Sequence, residues 1–309
     1  MRVLDIVRAP ELDPRAELVE GDLRSFDDVK RACVGIDTVF HTAAVINTLA
    51  LAPRKERDLI YAVNVEGTKN VIRACRELGI PRLVYTSSVN AVVEGRIEGG
   101  DESIAYPRGK MDLYTATKSA AEKAVLAANG PTLSTCALRP GGIYGPAESQ
   151  HFARLARELR QGRLVALVGD GKGKADNTFV DNLTSAHVQI AEHLAPGSTV
   201  AGKAYFINDG EPINYWEFFR PFVEGLGYRM PKLWVPRSVM MVIAFLGEVL
   251  HYVGGPMPFM TRMEVRKVCD DHWFRIDKAR EDFGWTPKIG TRAAAPLCLP
   301  HLRKLHDAA

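Results

Sequence analysis

Short apolar runs alternate with helical patterns along the first half of the chain. Val3–Val7, Leu18–Leu23 and Asp37–Ala44 read as strands, and Phe26–Cys33 has helical spacing. Gly67–Leu78 is predicted to be a helix. Thr68, Val71, Ile72, Cys75 and Leu78 recur there at steps of three and four, and Gly79 with Pro81 supplies the stop. Arg82–Ser87 reads as a buried strand, Tyr114–Ala128 as an alanine-rich helix, and Ser134–Leu138 as the next strand. Such alternation implies βαβ units, hence a parallel sheet covered on both faces. The expected fold class is α/β: a Rossmann-like doubly wound sheet over residues 1–147 and a smaller, mostly helical lobe over 148–309. In the second part Phe152–Arg160, Val180–His193 and Tyr215–Gly225 read as helices and Tyr205–Ile207 as a strand. Asp181-Asn182 offers N-cap chemistry to the helix at 180–193.

Composition narrows the function classes. The 309 residues carry 40 Lys and Arg against 37 Asp and Glu, a net charge of +3, so no nucleic-acid partner is expected. The five cysteines form no CxxC pair and the histidines no HExxH, so no metal site is expected. Met1–Asp5 already reads as a strand, without a signal-peptide pattern, and unpaired cysteines fit a reducing cytoplasm.

Ligands of parallel sheets bind beyond the carboxyl ends of the strands. Asp5, Asp22, His41, Ser87, Ser88 and Arg139 cluster at those ends. Tyr114 and Lys118 are four apart on a predicted helix and share a face. A phenol with a pKa of about 10 is a weak base at neutral pH, and a nearby ammonium favours its phenolate. With a serine hydroxyl to orient a substrate oxygen, these groups form a device for moving a proton to or from an alcohol. The spacing arises by chance in many helices and gains weight from YTSS (85–88) upstream and RPGGIYGP (139–146) downstream. His41 reads as a packed strand histidine. GDGKGK (169–174) has GxGxG spacing with no helix directly after it, and reads as a mobile loop rather than a phosphate cradle.

GDLR (21–24), HTAA (41–44), NVEGTKNV (64–71), RLVYTSS (82–88), YTATKSAAEKAVLAANG (114–130) and LRPGGIYGP (138–146) together resemble the extended short-chain dehydrogenases/reductases. Within them the series most resembles the 3β-hydroxysteroid dehydrogenase/isomerase family, and TFVDN (178–182) and FINDGEPINYWEFF (206–219) extend the likeness over nearly the whole chain. The resemblance implies NAD-dependent oxidation of the 3β-hydroxyl of a steroid or sterol. Tyr114 would be the base, Lys118 would hold the nicotinamide ribose and lower the tyrosine pKa, and Ser88, rather than Ser87, would orient the substrate oxygen. Asn64 would hold the helix of Tyr114 through a water; a cap or turn role is its bland alternative. Asp5 would bind the adenosine ribose and favour NAD over NADP, although Arg8 weakens that preference. Asp22 and Leu23 would border the adenine, Ala43 and Ala44 would line the cofactor, and Pro140 and Ile143 would pack near the nicotinamide. The resemblance also admits a Δ5–Δ4 isomerisation following the oxidation. The alternatives are a decarboxylating sterol-4-carboxylate dehydrogenase, a nucleotide-sugar epimerase or reductase, and an inactive sterol-binding remnant. An apolar pocket of Trp216, Phe218, Phe219 and Phe222 would favour steroid over sugar, unless these aromatics are core.

Members of that family begin with a strand, a GxxGxxG turn and a helix ahead of the strand that here ends in Asp5. This chain is expected to start at the second strand. In the order 3-2-1-4-5-6 the absent strand is central, so two interior edges would lack a ladder partner. An internal start and a real short form both account for this, and the intact downstream residues favour the first.

Leu233–Val253 is the most apolar stretch, interrupted by Arg237, Glu248 and His251. At about 21 residues it is nominally long enough to span a bilayer, but the charges argue against that. Segment 233–255 is expected either to lie on a membrane surface or to be buried in the lobe or in a homodimer contact.

Overall fold

The computed structural model describes residues 1–8, 12–47, 52–109, 111–148 and 151–308. Two parallel strands, β1 (Arg2–Asp5) and β2 (Glu17–Glu20), form one small sheet. Helix α1 (Phe26–Cys33) follows with the bounds its spacing predicts, and the Ser25 hydroxyl caps it by accepting from the Asp28 amide. The main sheet starts with β3 (Thr38–His41), which pairs with β4 (Arg82–Thr86). Ser134–Pro140 and then Ala204–Ile207 complete it, all parallel. Helix α2 (Arg54–Tyr61) runs through a π-helical turn, Ala62–Gly67, into α3 (Thr68–Leu78). Helix α4 (Leu113–Ala127) lies between β4 and the next main strand.

Period-two alternation sorts the side chains of β4. Leu83 and Tyr85 enter a core shared with Val71, Ile72 and Cys75 of α3 and with Ala121 and Val125 of α4. Val84 enters an opposite core with Cys136, Leu138, Phe206 and helix α6 (Val180–His193). The sheet thus draws in a helix and a strand from beyond residue 147. Arg82 stands opposite both Thr38 and Ser134, so the carboxyl ends of three strands form one rim.

Among the described residues neither β1 nor β3 has a partner on its other edge. The sheet is split where an interior strand was expected to be lacking. Side chains bridge the split: Leu4, Leu23 and Val39 lie against one core, and the Asn70 amide of α3 donates to the Leu23 carbonyl at 2.8 Å. Phe40 of β3 is left 44% exposed.

Several expectations change. Strands predicted to run on to Val7, Leu23 and Ala44 stop at Asp5, Glu20 and His41, and their tails are rim loops. Helix α6 has its predicted bounds, but Asp181 and Asn182 do not cap it. Phe179 is the N-cap without a side-chain bond, and the Asn182 amide reaches Asp209 and Ile289 instead.

The C-terminal part is mostly helical. Aromatics of α7 (Tyr215–Gly225) build its core: Phe218, Phe219 and Phe222 pack with Tyr144, Phe179 and Phe152 of α5 (His151–Arg160). Trp216 packs with α8 (Arg237–Tyr252) and α9 (Arg262–Cys269), and its indole donates to the Val168 carbonyl. These rings are core and do not line an open pocket. Loop 169–174 also has a packing role: a Cβ on Gly169, at φ +95°, would lie 2.9 Å from Cys269 Sγ, and one on Gly171 would meet the Trp234 ring. No described helix is long and apolar enough to cross a membrane.

Candidate active site

Helix α4 delivers two polar groups to the rim. Asp112 caps it, accepting from the Thr115 amide at 3.0 Å, so Tyr114 and Lys118 sit in its first two turns. Both face inward; Tyr114 is 8% exposed and Lys118 only 2%. Lys118 Nζ donates to the Thr86 carbonyl at 2.7 Å, where β4 ends. Thr86 is itself fixed, its hydroxyl 2.6 Å from His187 Nε2.

Electrostatics here differ from the simple expectation. Burial pushes the Lys118 ammonium down to about 7, partly offset by the charge of Glu122. Burial raises the Tyr114 phenol, the Ser88 hydroxyl pulls it back, and Asp112 raises it further. Lys118 is not among the groups that lower it, contrary to the expected ammonium–phenol coupling. Removing charged groups from water disfavours both ionised forms at once.

Ser88 faces Tyr114, and its Oγ also accepts from the Asn90 amide at 3.2 Å. Ser87 is turned away: its amide joins Leu138 and its hydroxyl is buried without a protein partner among the described residues. Asn64 sits within the π-helical turn, a feature frequent at functional sites. Its amide brackets Val45, accepting from that N–H at 2.7 Å and donating to that carbonyl at 2.9 Å, and it reaches Thr117 Oγ1 of α4 at 3.2 Å. The link to the helix of Tyr114 is therefore direct, where a bridging water was expected. Gly67 ends the same turn, and a Cβ there would meet Leu23 Cβ at 3.0 Å.

The remaining expected residues spread along the rim. Ala43 is exposed and Ala44 half-buried just past β3. Pro140 is buried at the end of its strand, and Ile143 is exposed beyond it. Asp5 is exposed at the end of β1, accepting from the Val7 amide. Asp22 follows β2, held below the usual carboxylate range by its bond to Arg24, and Leu23 beside it is half-buried. These last three lie across the split from Tyr114. Two strand-end residues leave the rim altogether. His41 is buried against Tyr85 and bonded to Thr68, its imidazole pushed down to about 3 by burial and by Lys118. Arg139 turns into the core and pairs with Glu122. Thr86, Thr117 and Glu122 were passed over in the sequence, although Glu122 lies four residues past Lys118 on the same helix face.

The sequence profile of the 3-beta hydroxysteroid dehydrogenase/isomerase family matches residues 1–237. Short-chain dehydrogenase/reductase family 42E member 1 of Bos taurus is 43% identical over 285 residues, 86% of this chain and 72% of that protein. A 3 beta-hydroxysteroid dehydrogenase/Delta 5→4-isomerase of Mycobacterium tuberculosis is 40% identical over 308 residues, 97% of this chain and 83% of that one. Among solved structures, UDP-glucose 4-epimerase of Thermus thermophilus in complex with NAD superposes with a TM-score of 0.74, covering 98% of this chain and 90% of its own. At 23% identity that likeness speaks for the fold alone. With the profile match and relatives at this level of identity, the chain belongs to the 3-beta hydroxysteroid dehydrogenase/isomerase family of oxidoreductases.

Proposed function

We propose that the chain binds NAD and oxidises the 3β-hydroxyl of a steroid or sterol. One observation carries this reading: Tyr114, Lys118 and Ser88 converge at the rim of a parallel sheet. The residues present fit the two ends of a dinucleotide. Lys118 donates one N–H to the Thr86 carbonyl and keeps others for ribose hydroxyls. Asp5 offers an exposed carboxylate that would accept from the adenosine ribose and repel a 2′-phosphate, favouring NAD over NADP. Asp22 and Leu23 would border the adenine, and Ala43, Ala44, Pro140 and Ile143 would line the path to the nicotinamide. No described residue supplies a glycine-rich helix N-terminus for the pyrophosphate.

NAD, when bound, supplies the hydride acceptor. Tyr114 Oη would take the substrate hydroxyl proton while Ser88 holds the substrate oxygen. Charged Lys118 would donate to the nicotinamide ribose hydroxyls, and Asn64 would keep α4 in register through Thr117. A Tyr114→Phe variant should lose at least about 10²-fold in NAD-dependent oxidation of a 3β-hydroxysteroid, with an unchanged circular-dichroism spectrum. Near-parent turnover in that variant would exclude the mechanism. The split sheet favours a second reading, a sterol-binding protein without turnover. A single-turnover assay of NADH formation with a bound 3β-hydroxysteroid separates the two, because that reading requires none.

The apolar outer face of α8 supports peripheral contact with a lipid surface. Val242, Ile243, Leu246 and Leu250 are exposed along it, and Trp234 and Tyr252 are exposed at its two ends.

A further inference from the structure

We infer that Glu122 is a positioning residue that keeps Lys118 in its charged form, with Arg139 and Tyr106 fixing the Glu122 carboxylate in place. The inference rests on the reading above that Lys118 acts as a cation. Tyr114, Lys118 and Glu122 recur at steps of four on the buried side of α4. Glu122 is completely enclosed. Its Oε2 accepts from Arg139 Nε at 3.0 Å and its Oε1 from Arg139 Nη2 at 2.7 Å, a bidentate pair. The Tyr106 hydroxyl donates to Oε1 at 2.6 Å. Three donors on two oxygens leave the carboxylate one orientation.

Lys118 stands one helical turn away and makes no ion pair among the described residues. The titratable groups around it come from four elements. His41 of β3 is neutral, its proton affinity lowered by burial. Tyr85 of β4 lies under the ammonium, 4.5 Å from Nζ to the ring centre, and burial raises its phenol. Tyr114 precedes it by a turn on α4 and is also raised. His187 of α6 reaches it only through Thr86 and is lowered by burial. None of these is an anion at neutral pH. Glu122 is therefore the negative charge that offsets the removal of Lys118 from water. Arg139 balances Glu122 from the far side, so the buried row reads cation, anion, cation.

The test is a pH titration of the cofactor-free chain by ¹³Cε-lysine NMR, with the Lys118 signal assigned by its loss in Lys118→Arg. Glu122→Gln should lower the Lys118 midpoint by about one pH unit or more, about tenfold less ammonium at a given pH above it. That variant strands Arg139 in the core, so Glu122→Gln/Arg139→Met, which removes both charges together, is measured beside it and should shift the same way. Tyr106→Phe removes a hydrogen bond but no charge. It should lower the melting temperature and leave the midpoint alone, whereas a merely structural Glu122 would make all three variants behave alike. An unmoved midpoint in the Glu122 variants overturns the inference. Steroid oxidation by the two Glu122 variants should be lost at lower pH than in the parent, because the ammonium it needs is lost there, while Tyr106→Phe should keep the parent profile. A moved midpoint in a chain that oxidises no steroid upholds the inference and removes the dehydrogenase reading; activity with an unmoved midpoint does the reverse.

Discussion

Lys118 places an ammonium where water barely reaches, and that has a cost in stability. Its pKa is about 7 in the folded chain against a usual 10.5. Between those values the unfolded chain binds more protons than the folded one, so stability rises with pH across that window. Below pH 7 the full burial penalty applies. Lys118→Met should therefore melt above the parent at pH 6, by on the order of 2 kcal/mol, with the gap closing towards pH 10. Differential scanning calorimetry at the two pH values checks this, and a variant that melts lower at both would refute it. Tyr114 and Lys118 were legible because a helix turns a spacing of four into one face. The state of Lys118 was not, because it depends on the Thr86 carbonyl and on burial by β3 and β4, which are distant in sequence. Arg139 looked like a rim residue for the same reason: strand-end position was visible, but the waiting carboxylate on α4 was not.

At the scale of elements, helices with clean caps and faces were read to the residue, as at Phe26–Cys33 and Tyr215–Gly225. The run from Arg54 to Gly67 was not. Its first part is highly polar, and a π-helical turn has no sequence signature of its own. Asn64 gives that turn its purpose by tying the loop after β3 to α4. Asn64→Ala would leave both polar groups of Val45 and the Thr117 hydroxyl without this partner. The expected loss is about 2 kcal/mol, read as a lower urea midpoint at unchanged slope. A loss under about 0.5 kcal/mol would show that water replaces the amide at no cost.

At the scale of the whole molecule, the doubly wound plan and the split in it were both legible, since strand order follows from chirality and short connections. The surface of α8 was only half legible. The apolar run was evident, but its exposure depends on which side α9 and Trp216 cover. Met240, Ala244 and Glu248 face inward, and Leu246 is 59% exposed on the opposite side. Leu246→Glu should abolish co-sedimentation with anionic lipid vesicles while leaving the melting temperature within about 1 °C. Unchanged sedimentation would remove the membrane contact, and a concentration-dependent dimer lost in the same variant would assign that face to a second copy of the chain.

The split sheet also leaves β1, β2 and α1 as a unit joined to the rest without a strand ladder among the described residues. This unit holds to the rest through packing of α1 on α3, shared apolar contacts, the Asn70 amide's bond to the Leu23 carbonyl and the Lys30–Glu77 ion pair. Such a unit can open locally at a free energy well below that of global unfolding. Asp5 and Asp22 ride on it, whereas Tyr114 and Lys118 belong to the rest of the molecule. A dinucleotide that touches both would have to hold them in one arrangement. Its affinity would then depend on the entropy lost in ordering that joint as much as on the hydrogen bonds it forms at either end.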